Sequence, residues 1–169
     1  TDADRYEAVQ LLRELAATDE RFYETTEDET DEAEYETLRV EYDGQVVRIV
    51  VDRAHRMNTL TPAFLDELDA VLDRLEADED ARTILLTGAG NRAFSAGVDV
   101  QAVAAGGADA IEVVELARKG QRVFDRLRTC PLPVVAAIDG YCLGGGMELA
   151  TAADLRVASQ RSEFGQPEL

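Results

Sequence analysis

The chain has 169 residues, of which 46% are hydrophobic, and 35 acidic side chains outnumber 17 basic ones to give a net charge of −18. This length and composition suit one folded domain with a sizeable core and exclude a largely disordered chain. A surface this acidic repels nucleic acid and anionic membranes, so we expect neither as a partner.

The charge also predicts an environment. An acidic surface repels itself, and salt screens that repulsion over about 10 Å at 0.1 M and over less at higher salt. We therefore predict a protein of a halophilic cytoplasm, with an ordinary acidic protein as the alternative. The chain shows no signal peptide at its N-terminus, and its first residue, Thr1, predicts a fragment or a processed piece.

Three regions are expected along the chain. Residues 1–23 contain a helical pattern that places Val9, Leu12 and Leu15 on one face. Residues 24–36 are dense in Asp, Glu and Thr, which is typical of a solvated linker. Residues 37–169 then form the main domain.

The main domain begins with two strands around the turn Asp43-Gly44. Thr61 and Pro62 are a helix N-cap and a first-turn proline, and they open a helix that ends near Ala77. Its apolar face comprises Phe64 or Leu65, Leu68, Val71, Leu72 and Leu75.

A buried strand at 83–88 follows, and then a loop at 89–99 and a helix at 109–128. The remaining elements are a strand at 133–139, a helix at 147–153 and a strand at 155–159. This order predicts an α/β domain with buried parallel strands, whose ligands gather at the carboxyl ends of those strands. The inward-facing side chains of the second helix are expected to be Ile111, Val114, Phe124 and Leu127.

Glycine-bearing loops occur at two of these strand ends, "GAGNRAFSAGVD" and "GYCLGGGME". Backbone N–H groups from two such loops could form an oxyanion hole, although glycine-rich turns are usually only turns. Neither loop matches a P-loop or a dinucleotide fingerprint. Cys130 and Cys142 lack metal-ligand spacing and suggest buried thiols, and the single histidine, His55, argues against a metal site or a catalytic triad.

Four motifs in order resemble the enoyl-CoA hydratase/isomerase (crotonase) family. They are "NTLTP" at 58–62, "LTGAGNRAFSAGVDV" at 86–100, "AAIDGYCLGGGMELATAADLRVAS" at 136–159 and "FGQPEL" at 164–169. The resemblance covers residues 37 to 169. It implies a crotonase-like core of repeated ββα units, incomplete at the C-terminus, and an acyl-CoA thioester as substrate, with no metal and no cofactor.

The resemblance also implies the roles of the site residues. The N–H groups of Ala96 and Gly145 would hold the thioester oxygen, while Glu148 would activate a water and Glu168 would supply a proton to C2. Glu148 could instead be a helix-start acid, and Glu168 a surface acid. The expected CoA and substrate contacts are Arg53, Arg56, Met57, Arg92, Val98 and Asp99, although solvated surface arginine is the ordinary interpretation of the arginines.

The expected function is hydration of a 2-enoyl-CoA to a 3-hydroxyacyl-CoA in fatty-acid β-oxidation. Double-bond isomerisation on the same fold and a silent fragment that binds CoA or a partner are the alternatives. Family domains continue beyond the "GQPE" motif, so exposed apolar faces are expected here, and the family is commonly trimeric. Residues 1–23 weakly resemble the end of a 3-hydroxyacyl-CoA dehydrogenase, which predicts a fusion; an arbitrary helical extension is the alternative.

Overall fold

The structure is a computed structural model that describes residues 35–99 and 110–166. The predicted helical segment at 1–23, nearly all of the predicted linker and Glu168 lie outside the described residues. The domain boundary expected near residue 36 therefore stays a prediction.

A five-stranded sheet forms the centre of the described structure. Strands β1 (Leu38–Asp43) and β2 (Val46–Val51) form an antiparallel hairpin around Gly44, whose φ of 57° suits the turn. The other three strands are parallel to β2, and the order across the sheet is β1-β2-β3-β5-β7. They are β3 (Thr83–Gly88), β5 (Val134–Ile138) and β7 (Leu155–Ala158). The predicted hairpin and the predicted parallel strands are confirmed.

Helix α1 (Pro62–Glu76) covers one face of this sheet. The hydroxyl of Thr61 accepts a hydrogen bond from the N–H of Phe64 at 3.1 Å, which is the predicted N-cap. The predicted apolar face is confirmed, since all of its members are at most 5% exposed. Each such side chain contributes about 1.5–3 kcal/mol by leaving water. They are Phe64, Leu65, Leu68, Val71, Leu72 and Leu75.

Helix α2 (Ala110–Thr129) has its buried core side chains, Val123 and Leu127, in its C-terminal half. Leu127 is buried and Phe124 is half-buried, as predicted. The inward orientation predicted for Ile111 and Val114 is wrong, because these side chains are 67% and 49% exposed. At 3.6 residues per turn they lie about 140–160° around the helix from Leu127, so they cannot share its face.

A second sheet was not predicted. It consists of three short parallel strands in the order β4-β6-β8, each of three residues. They are β4 (Ala93–Ser95), β6 (Tyr141–Leu143) and β8 (Glu163–Gly165). Three residues are too few to show an alternating pattern, and these strands fall in segments read as loops or left unassigned. The described elements thus repeat a ββα unit three times before β7 and β8.

Helix α3 (Gly145–Ala152) begins two residues earlier than predicted, so two of the three glycines are helical. At the edge of the five-stranded sheet, β7 is exposed along its length, and its Leu155 and Val157 are 37% and 42% exposed. Phe164 on β8 is 51% exposed. Exposed apolar faces were expected in this region.

Candidate active site

The site is formed where two neighbouring strands of the small sheet end. Because β4 and β6 are parallel, the segments that leave their carboxyl ends lie side by side. A Cβ on Gly97 would lie 3.2 Å from the N atom of Gly145 and 2.9 Å from the carbonyl oxygen of Leu143. Gly97 also has a φ of 92°, which disfavours other residues. The close approach of the two segments therefore needs a glycine here.

The N–H of Val98 is directed by a single backbone bridge. The N–H of Leu60 donates to the carbonyl of Gly97 at 2.8 Å, and the N–H of Asp99 donates to the carbonyl of Leu60 at 2.9 Å. In extended backbone, successive N–H groups point to opposite sides, so the N–H of Val98 points away from Leu60.

The N–H of Gly145 is the second donor at this place. It belongs to the first residue of α3, where a helix leaves its N–H groups without intrahelical acceptors. A Cβ on Gly145 would lie 3.6 Å from the N atom of Val98, so the two N–H groups are neighbours. Within 35–99 and 110–166, neither N–H has a hydrogen-bond acceptor.

Ala96 does not provide a donor, and the prediction that it would is wrong. Its N–H donates to the carbonyl oxygen of Met57 at 3.0 Å. Met57 and Asn58 both adopt left-handed backbone, with φ of 56° and 54°, in the turn that presents this carbonyl to the end of β4. The unengaged donor is two residues further along, at Val98, and motif spacing could not choose between the two positions.

One cavity of about 330 Å³ is lined by Val98 and Gly145, the two residues that carry these N–H groups. Apolar side chains form most of the cavity wall. Glu148 and Gly145, both in α3, also line the cavity. The cavity can therefore hold an apolar chain next to two N–H donors and a carboxylate. The apolar lining comprises Leu60, Leu65, Val98, Val113, Leu116 and Phe124.

Glu148 lies in the first turn of α3. Its N–H donates to the carbonyl of Gly144 at 3.0 Å, and its side-chain oxygen accepts a hydrogen bond from the Nε2 of Gln166 at 3.4 Å. The side chain of Glu148 is exposed. Gln166 follows β8 and was not singled out from its motif, although the side-chain amide is the nearest described partner of the acid.

Arg53 and Asp99, both predicted CoA contacts, instead pair with each other inside the protein. Nη1 of Arg53 lies 3.1 Å from Oδ2 of Asp99, and the side chains are only 16% and 8% exposed. The same Nη1 donates to the carbonyl and the hydroxyl of Thr59 at 2.7 and 2.9 Å. The contact of these two residues with CoA stays a prediction.

The remaining predicted contacts are distributed around the site. Val98 lines the cavity with a side chain that is 45% exposed, while Met57 is half-buried. Arg56 and Arg92 are exposed, and their contact with CoA stays a prediction.

Asn58 supports the site and was missed by sequence reasoning. It is fully buried, and its Nδ2 donates to the carbonyls of Ala89 and Ala93 at 2.9 and 2.7 Å. Its Oδ1 accepts from the N–H of Arg53 at 3.0 Å. This amide fastens the turn after β2 to both ends of the loop before β4. The tolerance of asparagine for positive φ was the only signal in the sequence.

The cysteines lie outside the chemistry. Both are free thiols, and burial raises the pKa of Cys142 to about 11 and also raises the pKa of Cys130. In the part of the chain that the structure describes, no three His, Cys, Asp or Glu side chains are grouped to hold a metal ion. Nor does any described helix have the length and apolar character to cross a membrane.

Comparisons with known proteins agree with this architecture. The family model described as enoyl-CoA hydratase/isomerase matches residues 41–169. The chain is 36% identical over 136 residues to a short-chain-enoyl-CoA hydratase of Clostridium acetobutylicum, covering 80% of this chain and 51% of that protein. It is 38% identical over 135 residues to the fatty acid oxidation complex subunit alpha of Idiomarina loihiensis, covering 79% of this chain and 19% of that protein.

Solved structures show the same fold. The crystal structure of an enoyl-CoA hydratase from Bacillus anthracis superposes with a TM-score of 0.75 at 34% identity, and the match covers 79% of this chain and 51% of that one. The chain thus spans about half the length of the hydratases it matches. The mixed α/β crotonase-like fold expected from the motifs is confirmed.

Proposed function

Since the chain belongs to the enoyl-CoA hydratase/isomerase family, we propose that it adds water to a 2-enoyl-CoA and yields a 3-hydroxyacyl-CoA. One observation carries the proposal. Val98 and Gly145, whose N–H groups have no acceptor among the described residues, meet at a cavity whose wall also includes Glu148. Two donors and a carboxylate around an apolar cavity suit a conjugated thioester.

The two N–H groups serve the charge that forms in the reaction. When water attacks C3 of a 2-enoyl thioester, the electron pair of the double bond moves through C2 onto the thioester oxygen, which becomes an enolate. Donors that are already in place stabilise this oxygen without reorganisation, and loss of one typically raises the barrier by about 2.7–4 kcal/mol. Gly145 opens α3, so the positive end of the helix also faces the enolate.

Glu148 is the proposed base. Its carboxylate takes one proton from the attacking water, whose hydroxyl forms the new bond to C3, and the enolate then collapses as C2 takes up a proton. Glu168 is proposed to deliver that second proton. Its position outside the described residues leaves its role to experiment. A side chain positioned for such proton transfer contributes about 10²–10⁴-fold to the rate.

The apolar cavity is the proposed place of the acyl chain. Leu60, Leu65 and Phe124 offer no charge to it, and their contact with an acyl tail would remove apolar surface from water. The thioester itself accepts the electron pair, so the proposed reaction needs no separate cofactor. A homotrimer, as expected from the family, is part of the proposal for the whole protein.

Crotonyl-CoA tests this function directly. We expect this chain to abolish the near-ultraviolet absorbance of the conjugated thioester and to form 3-hydroxybutyryl-CoA, identified by mass. Unchanged absorbance, together with no product at high protein concentration, would contradict hydration. Binding of the thioester without turnover would instead favour the silent fragment.

Isomerisation is the second candidate, because the matching family model includes isomerases and Glu148 is the only acid that the described residues place on the cavity wall. One group can move a proton between C4 and C2. A 3-enoyl-CoA distinguishes the two reactions: an isomerase makes the conjugated 2-enoyl thioester accumulate, and the absorbance rises.

Two proposals concern the setting of the protein. The net charge of −18 supports the first proposal, a halophilic cytoplasm. A free energy of unfolding that does not rise between low and molar KCl would contradict it. The weak resemblance of residues 1–23 to the end of a 3-hydroxyacyl-CoA dehydrogenase supports the second proposal, a fusion with a dehydrogenase in β-oxidation. An upstream reading frame without a dehydrogenase-like sequence would contradict the fusion.

A further inference from the structure

The ion pair between Arg53 and Asp99 has no part in the proposed chemistry, yet it lies beside the Val98 donor. Arg53 belongs to the turn after β2, whereas Asp99 directly follows Val98, so the pair joins segments 46 residues apart. Taking two charges out of water costs free energy unless their attraction and further hydrogen bonds compensate. The side chains of Arg53 and Asp99 are only 16% and 8% exposed, so we expect a function of this pair.

The Val98 donor has little backbone support of its own. Leu60 and Val98 form an isolated bridge and not part of a ladder, so only two backbone hydrogen bonds direct the N–H of Val98. In a full strand, neighbouring pairs would fix this direction further. Other contacts have to hold the two segments in register.

Arg53 holds both sides of this bridge. Its Nη1 donates to the carbonyl of Thr59, one residue before Leu60, and to the carboxylate of Asp99, one residue after Val98. The hydroxyl of Thr59 donates to the same carboxylate oxygen at 3.1 Å. These three side chains thus link the residue before Leu60 to the residue after Val98.

We propose that Arg53 and Asp99 are positioning residues that aim the Val98 N–H at the thioester oxygen. The inference rests on the proposed function, because it requires a thioester in the cavity. A displacement of about 1 Å at a reacting centre can cost about 100-fold in rate. Loss of the ion pair should therefore lower kcat more than it weakens substrate binding, because the apolar cavity wall that would bind the acyl chain is unchanged.

The test compares Arg53→Met with Arg48→Met in the full chain. Arg48 is a matched control: it pairs with Glu41 at 3.2 Å, the side chains are 17% and 14% exposed, and Arg48 alternates along β2 with the core residues Val47 and Ile49. We measure kcat and KM for crotonyl-CoA and the absorbance of bound cinnamoyl-CoA. A hydrogen bond to the thioester oxygen shifts that absorbance to the red.

We expect Arg53→Met to lower kcat by about 10–100-fold, to leave KM within about threefold and to reduce the red shift, while Arg48→Met keeps both the rate and the shift. A wild-type rate and shift in Arg53→Met would overturn the inference. A wild-type chain that neither hydrates crotonyl-CoA nor shifts the band would contradict the proposed function itself.

Arg53→Met removes the cation beside the buried carboxylate of Asp99, so its folding needs a separate measurement. The double variant Arg53→Met/Asp99→Leu removes both charges, and replacing a buried ion pair by apolar side chains is often neutral for stability. We expect its melting temperature to recover toward that of the wild type while kcat and the red shift stay low. Recovery of all three would show that the pair only supports folding, and would overturn the inference.

Discussion

The two halves of the candidate site are built differently. The donor half, residues 53–60 and 93–99, is held by the hydrogen bond from Ala96 to Met57, the bridge at Val98, and the buried pair of Arg53 and Asp99. The acid half, α3 with β8 and Gln166, presents Glu148 as an exposed side chain. The one described hydrogen bond to its carboxylate, from Gln166, is 3.4 Å long.

This difference follows the two tasks. A developing negative charge is stabilised best by donors that do not move during the reaction, which requires a rigid support. A carboxylate that exchanges protons with water needs access to that water and reach to the proton. We therefore expect single substitutions in the donor half to affect folding and rate together, and changes at the acid itself to affect the rate alone.

The largest expected effect on kcat is at Glu148, in the acid half. Glu148→Gln keeps the shape of the side chain but removes the base, so kcat for crotonyl-CoA should fall by about 10²–10⁴-fold. The melting temperature should stay unchanged, because the side chain is exposed. Glu163→Gln, at another exposed acid in the acid half, serves as the control and should keep its rate. An unchanged kcat in Glu148→Gln would remove Glu148 from the reaction.

Sequence reasoning predicted the large elements well, because they carry long patterns. The capped α1 has a 15-residue amphipathic pattern, and β3 and β5 are apolar runs. The three-residue strands have no such pattern, and their existence depends on pairing with segments about 20 to 50 residues away. Tertiary pairing of this kind cannot be read from a local window.

The site was predicted only in part, because here too the outcome depends on contacts between distant segments. The motifs brought Gly145 and Glu148 to one place, but they named Ala96 where the structure leaves Val98 unengaged. The choice depends on the carbonyl of Met57, which is distant in the sequence. The sequence predicted that Arg53 contacts CoA, but it could not show that Arg53 is largely buried and paired with Asp99.

An intermediate effect is expected at the contact between the halves. A Cβ on Gly146 would lie 2.4 Å from the carbonyl oxygen of Ser95, so Gly146→Ala must push α3 away from β4. Such overpacking typically costs about 1–3 kcal/mol, and both the free energy of unfolding and kcat should fall. Gly120→Ala is the control, because its Cβ would meet only Leu65 Cδ1 at 3.8 Å, an ordinary contact.

Urea unfolding of the two variants measures the difference. Alanine is favoured over glycine in a helix by about 1 kcal/mol, so Gly120→Ala should be neutral or stabilising while Gly146→Ala is destabilised. Equal stability of the two would mean that α3 can shift freely on β4. The rigid donor half would then have no firm contact with the acid half.

The smallest expected effect concerns the ion pair that anchors the acid half. The carboxylate of Asp139, after β5, accepts hydrogen bonds at 2.7 Å from Nε of Arg161 and from the hydroxyl of Ser159, both in the segment between β7 and β8. The hydrogen bond from Arg161 is the main reason that the pKa of Asp139 lies below its usual value. The pair thus holds the segment that leads to β8 and Gln166.

A lowered pKa in the folded state means that the stabilisation is complete above the unfolded pKa of about 3.9 and is lost as the pH falls through the folded value. Because Arg161 is 58% exposed, solvent screens the pair, and Asp139→Asn should cost only about 1 kcal/mol at pH 7. Urea unfolding at pH 7 and at pH 3 measures this cost, which should shrink at pH 3, because below the unfolded pKa of about 3.9 the unfolded chain gains a proton at Asp139. A cost that is equal at both pH values would mean that Asp139 anchors the acid half through the shape of its contacts and not through its charge.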